Sequence, residues 1–286
     1  MRTLTLLMAL MLGLLTVPGE ENSSLAKENG YVINLDRAEK LEKMTYSSLF
    51  SKAGIIVLED TDESLLGKVD KLEVCDNNLY VLEKGRGLFL FNKQGKFIKM
   101  IGRQGKGPGE YIDPDDISID RENKKIYVLD SQTQNVLKYS GNGTFESSFK
   151  LENKGTRSTF IQPFKNALYT NLYTFDKSGK RFLLSKVDVT NGKRISFQFE
   201  ASQYNKGWNE LFSTDQHTFI SGPTGNPKFM QIFMDTIFEI TPKGIKPYIT
   251  LQSLSLVGSE MCIRDRRYIM YLIIGKPLNI FISAIM

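Results

Sequence analysis

From Gly54 onward, apolar and polar residues alternate in short runs rich in β-branched and aromatic side chains, punctuated by Gly and Asn. Period-two alternation of this kind predicts strands, each with one set of side chains on each face. Ile55-Ile56-Val57-Leu58 is one such run, followed by Leu79-Tyr80-Val81-Leu82, Leu88-Phe89-Leu90-Phe91 and Phe97-Ile98-Lys99-Met100-Ile101. Between the last two lies Asn92-Lys93-Gln94-Gly95, which predicts a hairpin because Gly readily takes the positive φ of a tight turn.

The same order of runs then returns. Ile126-Tyr127-Val128-Leu129 matches Leu79–Leu82 at an offset of 47, and Val136-Leu137-Lys138-Tyr139 matches Leu88–Phe91 at an offset of 48. Gly143-Thr144-Phe145 matches Gly95-Lys96-Phe97 at the same 48. A looser third copy runs Ala167-Leu168-Tyr169, Leu183–Asp188 and Asn191-Gly192. A fourth runs Thr218-Phe219-Ile220, Thr236–Ile240, Pro242-Lys243-Gly244 and Tyr248–Leu251. A period in the forties with about four short strands per copy is the signature of propeller blades, small twisted sheets that bury their faces only by stacking on one another. A β-sandwich or a stack of hairpins is the alternative, and repetition of whole strand–turn–strand units at near-constant pitch argues against it. The expected fold is therefore an all-β propeller, with about four blades over residues 54–252.

Between the first two copies lies Ile101-Gly102-Arg103-Gln104-Gly105-Lys106-Gly107-Pro108-Gly109-Glu110-Tyr111. A phosphate cradle of the P-loop type needs Gly-Lys-Ser/Thr opening a helix, and here strands are expected on both sides. The run reads as a sharp crossing from the outer strand of one blade to the inner strand of the next. Loops on a rigid scaffold carry function, so Arg103, Lys106 and Glu110 of this crossing are the candidate ligand-binding residues.

The segment before the repeats has a different character. Arg2 precedes an apolar stretch from Leu4 to Val17, short of the roughly 20 residues a membrane-spanning helix needs. Val17-Pro18-Gly19 offers small residues for cleavage, so residues 1–19 read as an export signal and the mature chain is expected to begin near Glu20. An uncleaved anchor is the alternative. Residues 20–53 hold the strand-like run Tyr31-Val32-Ile33-Asn34-Leu35.

Charge and cysteine usage narrow the chemistry. Of the formal net charge of +5, Arg2 carries one and the residues after Gln252 carry two, and the Lys residues in between are interleaved with Asp and Glu. No basic stripe of the kind nucleic acid requires is evident. Cys75 lies alone in a strand-like run and reads as a small buried hydrophobe, and Cys262 lies in the C-terminal tail, so neither a disulfide framework nor a zinc pattern is present. His217, the one histidine, sits in Asp215-Gln216-His217-Thr218 as a turn before a strand, with no nucleophile-elbow sequence to make a triad. Trp208 with Tyr204 and Phe212 could stack on a sugar or pack within a blade. Asp and Glu in the crossing loops could hold calcium on the propeller axis. The residues assign no cofactor, metal site or catalytic residue.

Phe97–Gly102, the Gly-Lys-Gly-Pro-Gly-Glu-Tyr crossing, Asp116-Ile117-Ser118-Ile119-Asp120 and Ile126–Asp130 resemble an NHL-type repeat. More closely, with Leu58–Thr61 and Asp235–Phe238, they resemble the exported six-bladed propeller proteins of gut-type Bacteroidota, over about Gly30 to Gln252. The resemblance implies a six-bladed ring of which about four blades are present, with Tyr31–Leu35 a candidate for the strand that closes it onto a blade not present in the sequence. Many proteins of that group resemble lipoproteins, whereas this leader has no lipobox Cys. Leu256–Asp265 back-translates to a transposase-end sequencing adapter read in frame, so residues 253–286 are expected to be adapter-derived and the native chain to be truncated there. Ile269–Ile274 and Ile280–Ile282 are accordingly not taken as a membrane span.

These readings favour an exported, periplasmic or envelope binding module whose partner is a glycan, peptide or protein. The alternative is a propeller lyase or lactonase with an axial site, calcium-dependent where Asp and Glu of the crossing loops hold the ion. A purely structural envelope protein is the third class.

Overall fold

The computed structural model describes residues 30–37, 45, 54–153, 155–174, 180–204, 218–222, 225–231, 234–252 and 280–281. The export leader, Trp208, Phe212, His217, Cys262 and the adapter-like run all lie outside the described residues.

Strands β1 (Tyr31–Asn34) and β2 (Gly54–Ile55) precede the first repeat. The first blade is β3 (Lys71–Cys75), β4 (Asn78–Glu83), β5 (Gly87–Asn92) and β6 (Phe97–Ile101), hydrogen-bonded in that order. The crossing to the second blade carries β7 (Arg103–Gln104) and β8 (Glu110–Tyr111), a short parallel pair. The second blade is β9 (Pro114–Asp120), β10 (Lys125–Asp130), β11 (Asn135–Ser140) and β12 (Phe145–Lys150), again in sequence order. β13 (Thr156–Arg157) pairs with β16 (Tyr173–Thr174), and the third blade is β14 (Ile161–Phe164), β15 (Ala167–Asn171), β17 (Phe182–Asp188) and β18 (Arg194–Glu200). One turn of α-helix, α1 (Ala201–Tyr204), follows. The fourth sheet is β19 (Phe219–Ile220), β20 (Lys228–Phe229), β21 (Thr236–Thr241) and β22 (Gly244–Gln252). A last two-residue strand, β23 (Ile280–Phe281), pairs with β2. The protein is thus a β-propeller with four blades present.

Two compact units divide these elements, one from β3 to β18 and one holding β1 with β19–β22. In the first unit, period-two alternation explains the packing. Tyr80, Leu82, Leu88 and Leu90 leave blade one on one face and meet Ile117, Ile119, Ile126 and Val128 of blade two. Leu79, Val81, Phe89 and Phe91 leave on the other face, where Ile56, Leu58, Leu66 and Val69 pack against them. Tyr127, Leu129 and Val136 carry the second face of blade two onto Ile161, Leu168 and Val187 of blade three. The middle strands are therefore buried on both sides, which is why β4 and β5 are apolar at nearly every position. Each such side chain contributes roughly 1.5–3 kcal/mol on burial.

β4 and β10 hold the same second place in successive blades, as the 47-residue offset of their sequences requires. Three sequence expectations are corrected. Ile55–Leu58 forms ladder pairs only over Gly54–Ile55, and its remaining residues run extended against blade one. Thr218–Ile220, aligned above with the second strand of a blade, is the first strand of the fourth sheet, and β20 takes the second place. Tyr31–Asn34 does not wait for an absent blade. It runs parallel to β22, with Tyr31 opposite Ile249 and Asn34 opposite Gln252, as the fifth strand of a sheet already present. Gly30 permits the approach: at φ +75, a Cβ there would lie 2.8 Å from the Tyr248 carbonyl oxygen.

Candidate functional site

Within the first unit, β9 lies between β3 and β14, so the inner strands of three blades run side by side. Their polar residues form one network. Asp116 is fully buried and accepts from Lys71 Nζ of blade one (2.7 Å) and from the Ile161 N–H of blade three (2.8 Å). Glu73 on β3 accepts from Arg121 Nη2 (3.0 Å) and lies 3.9 Å from Lys71 Nζ. Burial pushes the Glu73 carboxyl above the ordinary Glu value, and the attraction of Lys71 and Arg121 offsets this only in part. Two cations and two carboxylates thus neutralise each other along β3 and β9.

The crossing into each blade and the turn between its second and third strands meet at one end of these sheets. Asp70 accepts from the Lys84 N–H (2.9 Å), and Asp113 from the Gly85 N–H (3.0 Å). Asp115 plays the same part in blade two, accepting from the N–H of Ser131 (3.1 Å) and from its hydroxyl. Lys84 Nζ of blade one stands 4.0 Å from Asp115, and Arg157, entering blade three, donates to Ser131 Oγ (3.2 Å). Lys84, Asp115, Ser131 and Arg157 therefore form a part-exposed polar cluster drawn from three successive blades, with two cations around one carboxylate.

The structure brings Arg103 and Glu110 together but turns them inward on their own loop. Arg103 Nε donates to Glu110 Oε1 (2.6 Å), and the Gly107 N–H donates to Oε2 (2.8 Å). The Gly107 N–H and the Arg103 guanidinium hold the Glu110 carboxyl below its ordinary value. A Cβ on Gly107 would lie 3.0 Å from that carboxylate, and one on Gly105 closer still. The glycines thus make a cradle for an anion, and the loop's own carboxylate fills it. Lys106 is exposed beside it. Gly105, Gly107 and Gly109 lie in the non-helical connection between blades.

At the opposite end of blades one and two lies an open cleft of about 420 Å³, lined by Cys75, Asp76, Asn78, Tyr80, Lys124 and Lys125 among others. Its polar groups engage each other: Lys124 with Asp76 (3.0 Å), Tyr80 Oη with the Gly141 carbonyl (2.8 Å), and Lys125 with Glu146. Burial pushes the Cys75 thiol up, away from the reactive thiolate, in keeping with a small buried hydrophobe. Tyr204 packs edge-on against Phe199 at 5.9 Å. Among the described residues no three His, Cys, Asp or Glu converge as a metal site, and no helix is long and apolar enough to cross a membrane.

The sequence reading found the crossing loop but missed the three-blade cluster. Its one local signal was a pair of adjacent acids, Asp115-Asp116, at the head of a strand centred on Ile117 and Ile119. Consecutive strand residues point to opposite faces, so the pair divides between the buried network and the exposed cluster.

The four-stranded antiparallel blades joined by these crossings define a β-propeller. The chain belongs to the family of the domain of unknown function DUF4934, whose model matches residues 30–278. It is similar in structure to a Bacteroides fragilis protein, BF0058, described as exported, at 20% identity and a TM-score of 0.60. That match covers 78% of this chain and 60% of the other, so the chain spans about 60% of that protein's length. A member of the DUF4221 family from Bacteroides vulgatus matches at 10% identity and a TM-score of 0.45, covering 61% of this chain and 55% of the other. Virginiamycin B lyase from Staphylococcus aureus matches at 13% identity and a TM-score of 0.41, covering 73% of this chain and 60% of the other. No curated protein matches the chain.

Proposed function

We propose that this protein is an exported binding module of the cell envelope, a six-bladed NHL-like propeller that presents its crossing-loop end to a polar ligand. The observation that carries the reading is the Lys84–Asp115–Ser131–Arg157 cluster. Three blades contribute to it, Lys84 and Asp115 are part-exposed, and its two cations suit a carboxylate-bearing glycan or peptide. The neutralised network beneath it supplies a rigid base, since Asp116 is fixed by blades one and three at once. Arg103 and Lys106 flank the same crossings and are proposed as the rim of the surface, whereas Glu110 acts by holding Arg103 in place. Export rests on the leader of residues 1–19 and agrees with the description of BF0058.

The test is a thermal-shift screen of purified acidic and neutral envelope glycans and peptides, with product analysis by mass spectrometry. A ligand should raise the midpoint of the parent protein, and Lys84→Ala and Arg157→Ala should each remove the shift, whereas Asn78→Ala in the opposite cleft should not. A shift abolished by Asn78→Ala alone would move the site to the cleft, and turnover of the ligand would replace the binding module with a lyase or lactonase. Export is checked separately: in a Gram-negative host the protein should be periplasmic and begin near Glu20, and an intact Met1 on cytoplasmic protein would refute it.

A further inference from the structure

Ile55–Glu59 meets blade one in the way that the end of β12 meets blade three. The Glu152 N–H donates to the Gly192 carbonyl (3.0 Å), and its carboxylate accepts from the Arg194 N–H (3.3 Å). The Glu59 N–H donates to the Gly95 carbonyl (2.7 Å), and its carboxylate accepts from the Phe97 N–H (2.9 Å). Gly95 and Gly192 occupy the same turn, between the third and fourth strands of their blades, and have φ of +83 and +75. A Cβ on Gly192 would clash with the carbonyl oxygen of Lys150 and lie 3.2 Å from the Phe149 ring. A Cβ on Gly95 would clash with the carbonyl oxygen of Val57 and lie 3.2 Å from Ile56 Cγ2. Residue by residue, Ile56 stands for Phe149, Val57 for Lys150, Leu58 for Leu151 and Glu59 for Glu152. The Leu-Glu pair is identical in both.

Phe149 and Lys150 belong to the outermost strand of blade two, paired with Val136 and Asn135 of the third strand, and the Leu151 N–H continues the ladder to the Gln134 carbonyl. The corresponding pairing for Ile56–Leu58 is not made among the described residues; β23 reaches only Gly54–Ile55. Ile55 and Val57 stand 78% and 75% exposed. A strand edge in this state is a template for another strand.

We infer that Ile55–Leu58 is the outermost strand of a further propeller blade, and that its edge takes the third strand of a three-stranded antiparallel sheet like β9–β11. The occupant is a further blade of the same polypeptide. The segment already sits on blade one as an outer strand sits on its successor, and the third strand of a preceding blade is the partner that keeps that packing. The solved B. fragilis protein, matched over 60% of its length, has chain to spare for such a blade. The closing strand of the ring is then Ile55–Leu58 and not Tyr31–Leu35.

Register makes the inference testable. Lys150 faces Asn135, and by correspondence Val57 should face the residue in the Asn135 position. The probe is a synthetic hairpin of this chain's residues 125–142, carrying Asn135→Cys or, one residue out of register and on the other face, Val136→Cys. Each is oxidised with the full chain carrying Val57→Cys and Cys262→Ser; Cys75 is buried and is left in place. Val57 is exposed, so its substitution leaves the core untouched. A disulfide forms only where the Cα and Cβ separations fit, so the Asn135→Cys hairpin should give an adduct at residue 57 about tenfold or more above the Val136→Cys hairpin. Equal yields, no adduct, or a disulfide dimer of the chain through residue 57 would each overturn the inference, the last by showing that a second copy occupies the edge. Amide exchange at residues 56–58 is the second measurement: the Asn135→Cys hairpin should slow it, and unchanged exchange counts against the proposal.

Discussion

Lys71 Nζ of blade one lies 2.7 Å from Asp116 Oδ1 of blade two, and the other oxygen of that carboxylate holds the Ile161 N–H of blade three. One buried side chain thereby joins three sheets that share no ladder. Removing one partner of a buried ion pair leaves the other charge without compensation, which costs about 3–5 kcal/mol.

Asp116→Ala should therefore lower unfolding free energy by about that amount, and Asp116→Asn by less, because an amide oxygen still accepts from Ile161 or Lys71. Urea denaturation measures both. Equal, sub-kilocalorie effects would mean that apolar packing alone holds the three blades.

Glu73 gives a pH dependence of defined sign. Burial raises its carboxyl in the folded state, so folding is linked to proton binding at this residue. The contribution is fully present below the unfolded Glu value of about 4.3 and is lost as pH rises through the higher folded value. Glu73→Gln fixes the side chain as neutral. The stability of the parent relative to Glu73→Gln should therefore decline from about pH 4 toward neutrality, where unfolded Glu is ionised. Denaturation of both proteins across that range checks it, and a difference that grows with pH would show that Arg121 and Lys71 outweigh burial.

The strands and most of their turns were legible in the sequence because each depends on neighbours along the chain. Alternation marked β4, β5, β10 and β11, and Gly95, Gly143 and Gly192 marked three equivalent turns. What was not legible depends on partners far apart. Lys71 and Asp116 are 45 residues apart, and no motif pairs them. The family resemblance made Tyr31–Leu35 a candidate closing strand, but strand composition does not name a partner, and β22 offers Tyr31–Asn34 a parallel edge more than 200 residues away. Thr218–Ile220 was misplaced by one strand because β20 is only two residues long, too short for alternation to register. Arg103, Lys106 and Glu110 were read as ligand-binding from their place on a crossing loop, but how each side chain turns depends on the fold of that loop, where Glu110 accepts from Arg103 and from the Gly107 N–H.

Glycine substitutions separate backbone strain from collision. Gly85 and Gly95 both have positive φ, +79 and +83, but a Cβ at Gly85 meets open space and one at Gly95 meets the Val57 carbonyl. A left-handed conformation costs a side-chain-bearing residue about 1–2 kcal/mol. Gly85→Ala should lose about that much, and Gly95→Ala more, because a backbone oxygen must also move. Matching losses in thermal or urea unfolding would mean that Ile56–Leu58 does not press on the turn in solution.

The crossing loop yields the last prediction. Glu110 accepts from Arg103 and from the Gly107 N–H, and together these bonds close the loop around Lys106. Glu110 is not part of the apolar core, and the ladders of β6 and β9 on either side do not depend on it. Glu110→Gln keeps the shape of the side chain but removes the charge that strengthens both bonds. Global unfolding should then change little, while local opening of the loop becomes more frequent. Trypsin reports that opening directly, since it cleaves after Lys106, which lies in a bend, and after Arg103, which the pairing of β7 with β8 holds. Limited proteolysis should cut Glu110→Gln at these two sites faster than the parent, with the melting midpoint nearly unchanged. Tyr111, which follows Glu110, donates its hydroxyl to the Ile101 carbonyl and accepts from the Leu88 N–H, anchoring the far end of the crossing independently. A large fall in the midpoint would make Glu110 a structural keystone of the blade junction, and unchanged cleavage would mean that the glycine-rich backbone holds its shape without the carboxylate.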